Sequence, residues 1–151
     1  VPRSAGTPWL VLGAALSAAA ALLHVAVIAG GPDWYRFFGA GERMAQMAAR
    51  GHWYPPLLTT GIALVLAAWA VFALSGAGLL ARWPLLRTAL AAITAIYLLR
   101  GLLIVPIVIV PYPQGAFDYW SSLIVLAYGL VHTFGLWLAW PVLGPPPAMA
   151  A

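Results

Sequence analysis

The chain has 151 residues, 64% of them hydrophobic and 7% charged, with a formal charge of +4 and no cysteine. A soluble domain carries roughly 25% charged residues, so this composition excludes a self-sufficient wetted surface and predicts an all-α integral membrane protein. The missing cysteines exclude disulfides, thiolate catalysis and cysteine-ligated metals; basic residues scattered along the chain suit lipid headgroups and give no nucleic-acid footprint.

The opening "VPRS" reads as a protease-site or linker scar, so residues 1–8 are set aside as a remnant and N-terminal tail. The first span is expected at Trp9–Ala29, too long for a cleavable signal peptide. Gly13, Ser17 and Ala21 recur on it at four-residue spacing, a face that permits close helix packing. His24 lies towards its far end.

The following loop is patterned. In "DWYRFFGAGERMAQMAAR" (33–50), Arg36, Arg43 and Arg50 recur every seven residues, with Asp33 and Gln46 beside them on a helix. Trp34, Phe37, Phe38, Met44, Ala45 and Ala48 take the opposite side, and Glu42 sits between the faces. The spacing predicts a short amphipathic helix, interrupted near Gly39 and Gly41, in the membrane interface or over the bundle. His52 follows among aromatic belt residues.

A second span is expected at Leu57–Leu80, with Pro55 and Pro56 where a helix tolerates proline and "SGAG" (75–78) near its end. "ARWPLLR" turns the chain into a third span, Leu85–Val110. Residues 111–119 lead to a fourth, Trp120–Trp140. The transmembrane domain thus covers 9–141, and 142–151 form a Pro-rich tail. Each stretch reaches the roughly 20 residues that a crossing needs. The predicted fold is a four-helix membrane bundle with both termini on one side. Arg36, Arg43 and Arg50 in the long loop nearly balance Arg82 and Arg87, but the two concentrated in one short turn favour the cytoplasm for the side of the termini.

Arg100 interrupts the third span. A charge at mid-membrane costs about 2.5–3.5 kcal/mol on the most lenient scale, so acceptors must meet it. The fourth span supplies a polar stripe: Asp118, Ser121, Ser122, Val125, Tyr128, Gly129, His132 and Gly135 share one face, which should turn inward. Together with His24, Tyr97 and Arg100 they outline a funnel opening towards the 30–56 loop. The candidate ligand-binding set is Arg100, His132, His24, Glu42, Tyr97, Tyr128, Asp118 and Ser121, with Arg100 meeting Glu42, Asp118 or a bound anion. Haem ligation by His24 and His132 is disfavoured by a depth difference of about 10 Å at helical rise. No H-x-x-x-H or E-x-x-H spacing suggests a metal, and no P-loop, dinucleotide fingerprint or Ser-His-Asp order occurs. No cofactor or metal is expected.

Three functions compete on these residues. The favoured one is a binding protein for a lipid or another amphiphilic anion. An enzyme acting on a lipid-like or isoprenoid substrate would use His132 or His24 with Glu42. A structural or accessory subunit would need its polar groups only to satisfy one another. "YRFFGAGERMA", "ALSGAG" and "PLLR…YLLRG" resemble a group of small four-span membrane proteins from GC-rich bacteria with no named activity. The resemblance implies the four-span fold over most of the chain and carries over no catalytic residue.

Overall fold

A computed structural model describes residues 1–109 and 116–144, and every regular element among them is helical. Helix α1 runs Thr7–Gly30, α2 Pro32–Phe37, α3 Glu42–Ala49, α4 Tyr54–Gly76, α5 Leu86–Leu102, α6 Ile104–Ile109 and α7 Ala116–Leu143. Three segments are long and apolar enough to cross a membrane: Thr7–Gly30, Tyr54–Gly76 and Phe117–Leu143.

The four longest helices pack in a ring, α1 against α4, α4 against α5, α5 against α7 and α7 against α1. Leu10, Ala14, Ala70, Ala73, Leu90, Ile93, Ala139 and Leu143 fill its core. Bulky apolar side chains point the other way: Leu22, Leu64, Leu99 and Trp137 are each at least 66% exposed. The alanines among the core residues let the helix backbones approach closely, which holds helices together in a lipid solvent. Several close helix approaches fall at glycines. A Cβ on Gly6 would meet the Gly135 carbonyl at 2.4 Å, and one on Gly101 would meet Leu126 Cα at 2.5 Å.

The start of α1, the 77–85 turn and the end of α7 meet at one end of the ring. Thr7 Oγ1 donates to the Ala77 carbonyl at 3.2 Å, Arg82 donates to the carbonyls of Leu143 and Gly144, and Arg87 Nη2 donates to the Trp140 carbonyl at 2.7 Å. The two arginines therefore cap orphan carbonyls at the C-terminus of α7, where cations are favoured. Thr7 and Pro8, left outside the first span by the sequence reading, form the first turn of α1, and Gly6 is buried against α7.

The third expected span is not a continuous helix. It divides into α5, 17 residues, and α6, 6 residues, with Leu103 between them. A helix of 17 residues is about 26 Å long, short of a hydrocarbon core of about 30 Å. The cause lies four residues on: a proline at 106 has no amide hydrogen to offer the Leu102 carbonyl. Arg100 consequently occupies the last turn of α5, where a cation is stabilised by the helix dipole, not the middle of a long span.

The amphipathic loop segment is two helices. Gly39 (φ 72°) and Gly41 (φ 90°) adopt left-handed backbone between α2 and α3. The break changes which residues turn inward. Tyr35 and Ala45 are buried with Val27, while Phe37 is 72% exposed and Trp34 42%. Phe38 reaches α7, stacking edge-on against Phe117 at 5.9 Å.

Candidate functional site

The α7 stripe faces the ring interior. Ser122, Gly129, His132 and Gly135 are buried, and Asp118, Ser121 and Tyr128 half-buried, while Leu123, Ile124, Leu130 and Phe134 are exposed. A helix in lipid has only the bundle interior in which to find partners for polar groups.

At mid-bundle the polar groups close on one another. Ser17 Oγ of α1 and Tyr97 Oη of α5 share a hydrogen bond at 2.9 Å, with both residues buried. The Tyr97 ring contacts Trp69 at 4.9 Å, His132 at 5.0 Å and Tyr128 at 5.7 Å between centroids. His132 is completely buried, and its Nδ1 lies 2.8 Å from the Tyr128 carbonyl one turn earlier. A carbonyl only accepts, so Nδ1 carries the proton, and Nε2 of the neutral ring is an acceptor. Nε2 has no hydrogen-bond partner among the described residues. The ring lies over Gly13, where a Cβ would sit 2.9 Å from Cε1 and 3.0 Å from Nε2.

Arg100 lies nearer the loop end and is exposed. Its Nη1 donates to Ser122 Oγ at 3.0 Å and its Nη2 to Ser121 Oγ at 3.3 Å. Ser121 Oγ in turn donates to the Asp118 carbonyl at 3.3 Å. Two hydroxyls fix the guanidinium plane between α5 and α7, but neutral acceptors leave its charge in place.

Glu42 does not join this group. Arg36 holds it bidentately, Nε to Oε2 at 2.8 Å and Nη2 to Oε1 at 3.1 Å, and also holds Asp33 at 2.8 Å. Gln46 adds a donor to Glu42 at 3.2 Å. The Arg36 hydrogen bonds, then that of Gln46, lower the Glu42 carboxyl below its ordinary range, and Glu42 in turn raises the Arg36 guanidinium. His24 is also separate: its Nδ1 donates to the Ala20 carbonyl at 2.8 Å. It lies 11 residues beyond Gly13, about 16 Å along the helix from the level of His132. The expected set thus divides into Tyr97, Tyr128 and His132 in mid-bundle, Arg100 with Ser121 near the loop end, Glu42 on the loop, and His24 alone on α1.

Two grooves are prominent. One, of about 710 Å³, follows α4 from Trp53 to Trp69 past Gly61 and is almost wholly apolar. The other, of about 610 Å³, lies at the opposite end beside Arg82, Leu85 and Arg87. No group of three or more histidines and acids capable of holding a metal occurs among the described residues. Ser122 and Ser17 are the partners that the candidate set omits. Both stood on recognised inward faces, the α7 stripe and the small-residue face of α1, and their hydroxyls were the available signal. No protein-family model, curated protein or solved structure matches this chain.

Proposed function

We propose that this chain is a membrane-embedded binding protein that retains an anionic amphiphile, a lipid or a lipid-like carboxylate or phosphate, with Arg100 as its headgroup anchor. In this reading α5 and α6 together complete a fourth crossing, the termini face the cytoplasm of a bacterial inner membrane, and the α2–α3 loop lies on the opposite face. The observation that carries the reading is the setting of Arg100: an exposed guanidinium, on a helix flanked by exposed Leu99, Leu102 and Leu103, oriented by two serine hydroxyls. Hydroxyls supply direction without neutralisation. An anion arriving from the bilayer supplies the charge and bonds in the bidentate manner that guanidinium favours.

Replacing Arg100 by leucine tests this directly. The variant should stay folded, with an unchanged melting temperature in detergent. Native mass spectrometry should show one anionic lipid fewer retained per chain, with affinity at that site reduced about tenfold, the equivalent of about 1.4 kcal/mol. Lipid content equal to that of the wild type would refute the anchor. A fall in stability with lipid unchanged would make Arg100 a packing element of the α5–α7 contact instead.

A further inference from the structure

The groove at the opposite end of the ring has no part in that site, and its chemistry is different. Its wall holds two guanidiniums in fixed positions. Arg87 lies 4.3 Å over the Trp140 ring and donates to the Trp140 carbonyl, and Arg82 donates to the last carbonyls of α7. Those acceptors are neutral, so two positive charges remain side by side. The Arg87 Nε is buried and has no hydrogen-bond partner among the described residues, an arrangement that is unfavourable for a charged donor.

Among the described residues no acidic side chain is placed to answer them. The sequence contains three: Asp33 and Glu42, paired with Arg36 on the α2–α3 loop, and Asp118 in the first turn of α7. All three lie at the other end of the ring. None of these side chains supplies a counter-charge for Arg82 and Arg87.

The groove's rim identifies the source. Leu85 is 79% exposed and holds a left-handed backbone (φ 54°), a conformation that leucine rarely adopts, and Trp83 beside it is 46% exposed. An apolar side chain held outward at such a strained position belongs in hydrocarbon, and tryptophan favours the boundary between hydrocarbon and headgroups. Thr88, on the first turn of α5, adds a hydroxyl to the same wall.

We infer that this groove is a second anion site, which binds the phosphate of an anionic phospholipid headgroup through Arg82 and Arg87, with Trp83 and Leu85 inserted among the acyl chains. It stands independently of Arg100. A phosphate oxygen in the groove supplies the negative charge that the carbonyl acceptors lack and joins the turn to the end of α7 through the lipid.

The test uses the full chain in lipid nanodiscs carrying a photoactivatable phosphatidylglycerol or, separately, a photoactivatable phosphatidylcholine. In the wild type, phosphatidylglycerol should cross-link within residues 82–88, phosphatidylcholine much less, and added inorganic phosphate should compete only weakly. Arg82→Gln and Arg87→Gln should each lower the yield about fivefold, the weight of one basic residue at an anionic surface. Arg100→Leu should leave it intact, which separates this site from the one proposed above. Equal labelling by the two lipids in the wild type would overturn the inference whether or not the variants fold. Ready displacement by inorganic phosphate would overturn the lipid as the source of the anion.

Discussion

His132 is packed where a single methyl group decides the fit. Its ring rests over Gly13, and a Cβ there would stand 2.9 Å from Cε1. Alanine gains roughly 1 kcal/mol over glycine in a helix interior, whereas overpacking a close contact costs about 1–3 kcal/mol. Because the ring is tied to the Tyr128 carbonyl and packed against Tyr97, overpacking should dominate, and Gly13→Ala should lower the melting temperature in detergent. Pairing it with His132→Ala should return at least about 0.5 kcal/mol relative to additivity, since the two residues are in direct contact. A Gly13→Ala protein as stable as the wild type would mean that the imidazole turns aside freely and that the α1–α7 contact is not set here. Arg100 illustrates the complementary lesson at this scale. Its need for acceptors was readable from the sequence, but its partners were not: serine hydroxyls nearby on α7 reached it, while the acids expected to do so include one, Glu42, already claimed by Arg36.

Two elements behave as units whose stability can be probed separately. The α2–α3 pair is clasped by Arg36 through Asp33 and Glu42, with Gln46 and Arg50 extending the chain of hydrogen bonds along α3. Glu42 has its pKa lowered in the folded chain by Arg36 and Gln46. A carboxylate of this kind stabilises fully above its unfolded value, about 4.3, and the contribution is lost as the pH falls through the lower folded value. Hydrogen exchange at the α3 amides, compared at matched intrinsic rates, should therefore accelerate on acidification below about pH 4. Glu42→Gln should show the faster exchange already at pH 7 and little further response to acid. A wild-type profile flat through this window would remove Glu42 as the clasp. The α5–α6 break is the second unit. Pro106→Ala restores a donor for the Leu102 carbonyl, so the amides of 103–106 should become protected and the two helices should join. Continued rapid exchange there would place the cause of the break in packing and not in proline.

For the whole molecule, the ring geometry makes a topological statement that the cysteine-free chain is well suited to test. The start of α1, the 77–85 turn and the end of α7 are tied together by Thr7, Arg82 and Arg87, while the α2–α3 loop lies at the other end. Single cysteines at Ser4, Ala81 and Ala40 should be labelled by a membrane-impermeant maleimide in two groups, the first two from one side of sealed vesicles and the third from the other. Labelling of Ser4→Cys and Ala81→Cys from opposite sides would break the four-helix ring as a membrane topology. Arg82 and Arg87 also change meaning at this scale. Read along the chain they mark orientation; in the folded ring they also cap α7.

Composition and apolar run length by themselves determined the helical class, the positions of α1, α4 and α7, and the inward face of α7, because hydrocarbon imposes one rule on every polar group and every backbone amide. The glycine interruption of the loop helix was legible for the same local reason, since Gly39 and Gly41 permit backbone that other residues resist. What the tertiary structure decided was pairing. Ser17 with Tyr97, Arg100 with Ser121 and Ser122, Arg36 with Glu42 and Arg87 with Trp140 depend on helix rotation and relative depth. Helical periodicity fixes rotation within one helix, but nothing in it fixes the register between helices; that was set by close contacts at Gly6 and Gly101, where the absence of a side chain lets two backbones meet, and at Gly13 and Gly135, where it admits the His132 ring and the Leu10 side chain.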